Sequence, residues 1–347
     1  MQLQYKKIMK NNISIDVCPG ILAEGFTTYS LKCRKEMFNG KKVSHILPFT
    51  SPQNEGAQQQ LFLENKIRIS ISGVQEKYSL KLTDNILELT DKHGQYILKP
   101  IPTDLLNVTQ VPANEHLTMQ IAAQVFKLSV AKNALIFFND GLPAYITKRF
   151  DVKENGDRCL KEDFASLANV SNAGGKNYKY DYSYAAMADL IDKYFPSAVL
   201  AKETFFQLIV FNYLFSNGDA HLKNFSRLDC SAKGDAFLAP AYDLINTRLH
   251  VKDEDLALKE GLYAEDINHP SYEHFGSYSY DDFQHFGEKI GLLPARVKRM
   301  ISKFLIDEEK VYSLINKSFL NEKSKADYKS LYDDKRKRLL FSFAGLL

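Results

Sequence analysis

The sequence predicts an α+β chain of two lobes, a β-rich one followed by a mainly helical one. Three observations carry this expectation. Residues up to about 150 fall into short alternating strands broken by turns. Residues beyond Asp151 fall into helical periods. Between helices of the second half lies a polar loop, Asn217-Gly218-Asp219-Ala220-His221-Leu222-Lys223-Asn224, directly behind the apolar run from Thr204 to Phe215. At 347 residues the chain is long enough for two lobes. We divide it into a leader over 1–60, a first lobe over 61–150 and a second over 151–347.

In the first lobe, Tyr78-Ser79-Leu80-Lys81-Leu82 alternates as a half-buried strand does, and Asp84-Asn85 supplies a turn into Ile86–Leu89. A turn through Asp91–Gly94 leads to a third strand, Tyr96–Lys99, which Pro100 and Pro102 end. After Pro112, Asn114 is placed to cap a helix with Leu117, Ile121, Val125 and Leu128 on one face. Asp140-Gly141 is a hairpin turn between strands over 134–138 and 144–147. In the second lobe helices are expected near 184–195, 200–215, 281–290, 295–306, 308–318 and 328–343, with one hairpin near 225–229 and 236–239. Gly174-Gly175 lies in a polar stretch expected to be a loop.

Composition narrows the function. There are 45 basic and 42 acidic residues, a net charge of +3, so no electrostatic case for nucleic-acid binding exists. The basic stretch Lys335–Arg338 is expected to be a solvated helix face. Cys18, Cys33, Cys159 and Cys230 are scattered without a disulfide-like framework, which favours a reducing compartment. The first residues lack the apolar core of a signal peptide, and no apolar run is long enough to span a bilayer. The expected location is cytoplasmic, with no membrane partner.

The 217–224 loop sets Asp219 and Asn224 in a D-x-x-x-x-N frame, and Tyr242-Asp243 follows downstream. Phosphoryl transfer of the protein-kinase type needs such groups: a carboxylate for the attacking hydroxyl, and an amide oxygen and second carboxylate for Mg²⁺ on ATP. Oxygen ligands suit Mg²⁺, which takes one or two carboxylates and completes its shell with phosphate and water. The expected fold is therefore bilobal and protein-kinase-like, with Asp219 as the catalytic base and Asn224 and Asp243 as metal ligands. Asn-Gly-Asp is also ordinary turn chemistry. Lys99, at a strand end, is placed to reach nucleotide phosphates, or to guard an exposed sheet edge. Glu115 is either its ion-pair partner or a first-turn acid favoured by the helix dipole.

Five segments in order, Arg68–Lys77 (with Ser70-Ile71-Ser72-Gly73), Ile97–Pro100, Lys148–Asp151, Asn217–Asn224 and Pro240–Asp243, together resemble the HipA-type toxin serine/threonine kinases. The early Ser-Ile-Ser-Gly segment makes the resemblance closest to the short HipT-like form, whose missing subdomain is a separate small protein. The resemblance implies ATP and Mg²⁺ as cofactors. It places Ser72, Gly73, Val74, Gln75 and Lys77 in a phosphate-covering loop and makes Ser70 and Ser72 autophosphorylation acceptors. It puts backbone groups of Lys148 and Phe150 at the adenine, with Tyr242 or Phe150 packing nearby, and His221 and Lys223 near the phosphates; Phe150 reads equally as plain core. The implied target is an aminoacyl-tRNA synthetase. The implied partners are a HipB-like helix-turn-helix antitoxin, through which any DNA contact would run, and a small HipS-like protein. Residues 18–48 resemble a leader that often carries C-x-x-C…Y-H-x-x-C. Ile21 and Ser30 stand where the second Cys and the His would be, so no structural zinc is expected from Cys18 and Cys33 alone.

Two rival functions remain open on sequence: a small-molecule phosphotransferase on a kinase-like core, and a non-catalytic nucleotide-binding interaction module. The Ser70–Lys77 loop separates the first, and the intact Lys99, Asp219, Asn224 and Asp243 separate the second.

Overall fold

A computed structural model describes residues 13–52, 76–103, 105–170, 178–231 and 234–343. Ser70, Ser72, Gly73, Val74, Gln75 and Gly174-Gly175 lie outside the described residues. The first lobe is a five-stranded antiparallel sheet of β1 (Tyr78–Thr83), β2 (Ile86–Leu89), β3 (Tyr96–Lys99), β4 (Asn133–Phe137) and β5 (Pro143–Lys148), in the order β2-β1-β3-β5-β4. β3 is therefore central, and Lys99 is buried at its end rather than guarding an edge.

The period of two gives this sheet distinct faces. Leu80, Tyr96, Leu98, Ala134, Ile136 and Ile146 form one core with the leader residues Cys18, Tyr29, Met37, Phe38 and Leu47. The leader contributes α1 (Leu31–Phe38), capped by the Ser30 side chain. It also covers the outer edge of β4, where Leu47 N donates to Phe137 O at 2.7 Å and Phe137 N to His45 O at 2.9 Å. Covering an edge strand in this way removes its free pairing groups. Cys18 and Cys33 are both buried, and Cys18 Sγ accepts from Ser30 N at 3.2 Å.

The opposite face meets α2 (Val111–Gln124), where Tyr145, the register partner of Lys99, joins the main core. This helix starts earlier than its sequence suggests. Pro112 occupies its first turn, where a missing N–H costs nothing. Asn114 is not its cap: the side chain is buried inside the helix, donating to Asn246 O at 2.8 Å and accepting from Asn246 N at 3.2 Å. Though α2 lies in the first lobe's stretch of chain, Phe126 just beyond it packs into the helical lobe. Its ring lies 5.9 Å from Phe211, 5.8 Å from Phe215 and 4.9 Å from Phe304.

The second lobe opens with β6 (Leu160–Asp163) and a single helical turn, α3 (Phe164–Leu167). It continues through α4 (Tyr184–Tyr194), α5 (Ala198–Leu214), β7 (Ser226–Asp229), β8 (Phe237–Leu238), α6 (Pro270–Phe275), α7 (Tyr280–Lys289), α8 (Pro294–Leu305), α9 (Glu308–Lys317) and α10 (Glu322–Leu339). α5 is apolar almost all round, as a helix enclosed by other elements must be. β6, β7 and β8 form a three-stranded sheet. Cys159 and Cys230, 71 residues apart, are joined by a disulfide at its edge, which corrects the expectation of four unpaired cysteines. Spacing could not show this, because pairing of β6 with β7 brings the two together.

α10 begins at Glu322, not near 328, because Asn321 caps it by accepting from Ser324 N at 2.8 Å. The Lys335–Arg338 stretch is not simply a solvated face. Lys335 is fully buried, ion-paired with Asp255 and 4.2 Å from the Tyr213 ring centre, and burial pushes its ammonium down to about 8. Glycine at 287 is required by close packing of α7. A Cβ there would meet Val297 at 2.7 Å and Phe206 at 3.0 Å. Gly287→Ala is expected to cost about 1–3 kcal/mol of unfolding free energy, read from urea denaturation.

Candidate active site

α5 delivers the polar loop, and hydrogen bonds from its end fix the loop's shape. Asn217 donates from Nδ2 to Asn212 Oδ1 at 2.9 Å, and Gly218 N donates to Thr247 Oγ1 at 3.0 Å. The Thr247 hydroxyl in turn donates to Ser216 O at 3.0 Å. A Cβ on Gly218 would lie 2.4 Å from the Asp253 carboxyl, so a side chain at this position would require the Asp253 side chain to move aside. Ser216 and Asp243 both have left-handed backbone, with φ of 52° and 57°. Non-glycine residues held there carry strain that the surroundings must compensate.

β3 brings Lys99 to the same cleft. Its Nζ lies 2.5 Å from Glu115 Oε1 and 2.5 Å from Asp243 Oδ1, and Lys77 Nζ lies 3.5 Å from Asp243 Oδ2. Glu115, on the fifth residue of α2, is thus the ion-pair partner of Lys99 and not a first-turn dipole acid. Burial opposes the charge on Asp243, but Lys77 and Lys99 outweigh it and hold the carboxyl well below the usual range. Burial likewise pushes the Glu115 carboxyl up despite Lys99.

Asn224 ends a 3₁₀ turn, Leu222–Asn224, and its Oδ1 is buried with no hydrogen-bond partner among the described residues. An orphaned amide oxygen is costly unless a ligand satisfies it. It and the Asp243 carboxylate are oxygen donors of the kind that holds Mg²⁺ on phosphates. The residues present therefore fit a metal–nucleotide.

Asp219 is half exposed and accepts a hydrogen bond from the Tyr180 hydroxyl at 2.6 Å. His221 is buried, its Nε2 2.6 Å from Lys179 Nζ and 3.6 Å from Asp219 Oδ1. Burial pushes its imidazole down to about 4, so it is neutral at pH 7. Lys223 Nζ lies 5.0 Å from the Tyr178 ring centre, and its carbonyl accepts from the Tyr242 hydroxyl at 2.8 Å. Phe150 and Tyr242 stand with ring centres 5.6 Å apart, covered by Lys161 Nζ at 5.4 and 4.5 Å. This apolar pair lies where the chain passes between the lobes.

The Lys148 amide donates to Lys132 O at 2.8 Å and its Nζ to Asn39 Oδ1 at 2.7 Å, so that N–H belongs to the sheet's own bonding. Tyr180, Lys179 and Lys161 were not foreseen. Each is a single Lys or Tyr in a stretch without a motif, and only the fold carries it to the site.

Residues 69–311 match the model of the HipA-like C-terminal domain, well over half of the chain. A protein of Haemophilus influenzae named “Putative kinase” is 28% identical over 316 residues, 86% of this chain and 88% of that one. “Putative kinase Y4dM” of Sinorhizobium fredii is 29% identical over 245 residues, spanning 66% of this chain and 55% of its own length. Among solved structures, the Shewanella oneidensis HipA–HipB–operator DNA complex aligns with a TM-score of 0.60 at 21% identity, over 84% of this chain and 73% of that one. The Helicobacter pylori proinflammatory kinase CtkA aligns with a TM-score of 0.50 at 18% identity, over 76% and 90%. These structures place the fold among kinase-like folds. From the extent of the family match, this chain belongs to the HipA-like C-terminal domain family.

Proposed function

We propose that the chain is an ATP- and Mg²⁺-dependent serine/threonine protein kinase of the HipA/HipT toxin type. The observation that supports this most is the contact of Lys99 from the sheet with Asp243 from the helical lobe. Asn224 and Asp243 would hold the metal, which when bound with ATP neutralises phosphate charge. Lys99 adds a second positive charge at the phosphates, kept in place by Glu115. Asp219 orients the acceptor hydroxyl and takes its proton as the bond to phosphorus forms. Phe150 and Tyr242 offer a surface for the base, and His221 and Lys223, within the 217–224 loop, are the residues proposed to lie near the phosphates. Ser70 and Ser72 are the proposed self-phosphorylation acceptors, with Ser72 to Lys77 covering the nucleotide.

The proposed target is an aminoacyl-tRNA synthetase, a choice set by surface shape that the catalytic residues do not encode. The solved HipA neighbour is in complex with HipB and operator DNA. A HipB-like antitoxin, and a small HipS-like protein, are accordingly the proposed partners. The cytoplasm is the proposed location because the proposed target works there. Among the described residues no helix is long and apolar enough to cross a membrane.

Intact-mass spectrometry of the protein with Mg·ATP and a panel of synthetases tests this reading. Wild type should gain phosphate on itself and on one synthetase, and Asp219→Asn should lose at least about 10²-fold in rate. Nucleotide binding without any transfer would leave the interaction module. Transfer confined to small hydroxyl compounds would leave the small-molecule phosphotransferase.

A further inference from the structure

Asp219 stands on a loop with half of its side chain exposed, so packing alone does not fix its rotamer. Among the described residues one donor holds its carboxylate: the Tyr180 hydroxyl, 2.6 Å from Oδ1. Among the described residues His221 is the only other close candidate, with Nε2 at 3.6 Å. That nitrogen already faces Lys179 Nζ at 2.6 Å, and an ammonium can only donate. Nε2 is therefore an acceptor and carries no proton for Asp219.

Tyr180 is itself held firmly. Its carbonyl accepts from Lys259 N at 3.0 Å and Tyr182 N at 2.9 Å, and the preceding Lys179 carbonyl accepts from Leu222 N at 3.4 Å. Its ring meets the His221 ring edge-on with centres 5.1 Å apart, and Lys179 Nζ lies 4.8 Å from its centre. The hydroxyl is thus delivered by a framework tied into the 217–224 loop, 39 residues away in sequence.

We infer that Tyr180 is a positioning residue for phosphoryl transfer, its hydroxyl fixing Asp219 Oδ1 and leaving Oδ2 for the acceptor hydroxyl. The inference rests on the kinase reading above. Catalysis by positioning is sensitive to such supports, since about 1 Å of misplacement costs on the order of 10²-fold.

The test compares wild type, Tyr180→Phe and Tyr180→Ala in self-phosphorylation with Mg·[γ-³²P]ATP, with thermal midpoints measured alongside. Tyr180→Phe keeps the ring against His221 and removes only the hydroxyl. It should lower the saturating rate about 10- to 100-fold and leave the half-saturating ATP concentration within about twofold. A wild-type rate for Tyr180→Phe with a slow Tyr180→Ala would mean ring packing alone and would overturn the inference. So would a lowered midpoint in Tyr180→Phe with rate and half-saturation impaired together. Phosphate mapped to Tyr180 in wild type would make it an acceptor instead. A wild type that binds Mg·ATP and transfers nothing would remove the kinase reading as well, a result distinct from an active wild type matched by Tyr180→Phe.

Discussion

Lys99→Met should lower phosphate incorporation by about 10²- to 10³-fold and unfolding free energy by about 3–5 kcal/mol, because the one side chain has two tasks. Toward ATP it supplies charge where charge develops. Toward the fold it is the cation that makes a buried Glu115 tolerable, with the two side chains only 4% and 3% exposed. Removing it strands that carboxylate, which can escape part of the penalty by taking up a proton. The two tasks can be separated. Lys99→Met with Glu115→Met replaces the buried pair by apolar groups of similar volume, so stability should return most of the way while transfer stays lost. Urea denaturation beside a phosphate-incorporation assay reads both. A double variant as unstable as the single one would mean that the pair is not what makes Lys99 necessary to the fold.

Acidification should destabilise the protein between about pH 6.5 and 4, chiefly through two histidines. Burial pushes His116 and His221 down to about 4, against an ordinary value near 6.5 in the unfolded chain. Within that window the unfolded state binds more protons, so stability is present above it and is lost as pH falls. Each histidine should remove about 2 kcal/mol by pH 5. His116 carries this in the core, where Nε2 lies 3.2 Å from Gly20 O and Nδ1 has no partner. Glu115 works in the opposite direction, since its raised carboxyl stabilises the fold once protonated. Denaturation midpoints at pH 7, 6 and 5 should fall steeply in wild type and much less in His116→Gln/His221→Gln. An equal slope in both proteins would place the acid sensitivity elsewhere.

What the sequence made legible was local or carried by a motif. The strands of the first lobe and the five helices expected between 184 and 318 lie within a residue or two of their periodic patterns, because period and burial agree there, whereas the short α6 was not expected. Lys99 and Asp243, both singled out from the sequence, meet in an ion pair, and the loop that carries Asp219 and Asn224 reaches Asp243 O through the Asn217 side chain at 3.5 Å. What stayed hidden depends on partners distant in sequence. Asn114 looked like a cap because its amide suits one, yet that amide bonds the backbone of Asn246. Lys335 looked solvated inside a basic run, yet it is buried and paired with Asp255. Cys159 and Cys230 needed the register of β6 on β7. Tyr180 needed the fold to bring its hydroxyl to Asp219.

The stretch leading to Asp243 is bonded to the stretch entering β4. Ala131 N donates to Ala241 O at 2.9 Å, and Ala241 N to Ser129 O at 2.8 Å. These backbone bonds add to the side-chain ties already described, Asn114 to Asn246, Lys99 to Asp243 and Phe126 among Phe211, Phe215 and Phe304. Asp243 therefore stands two residues beyond a backbone anchor, so its place is fixed from the strand side as well as from the helices, and a substitution that disturbs the entry to β4 would be felt at its carboxylate.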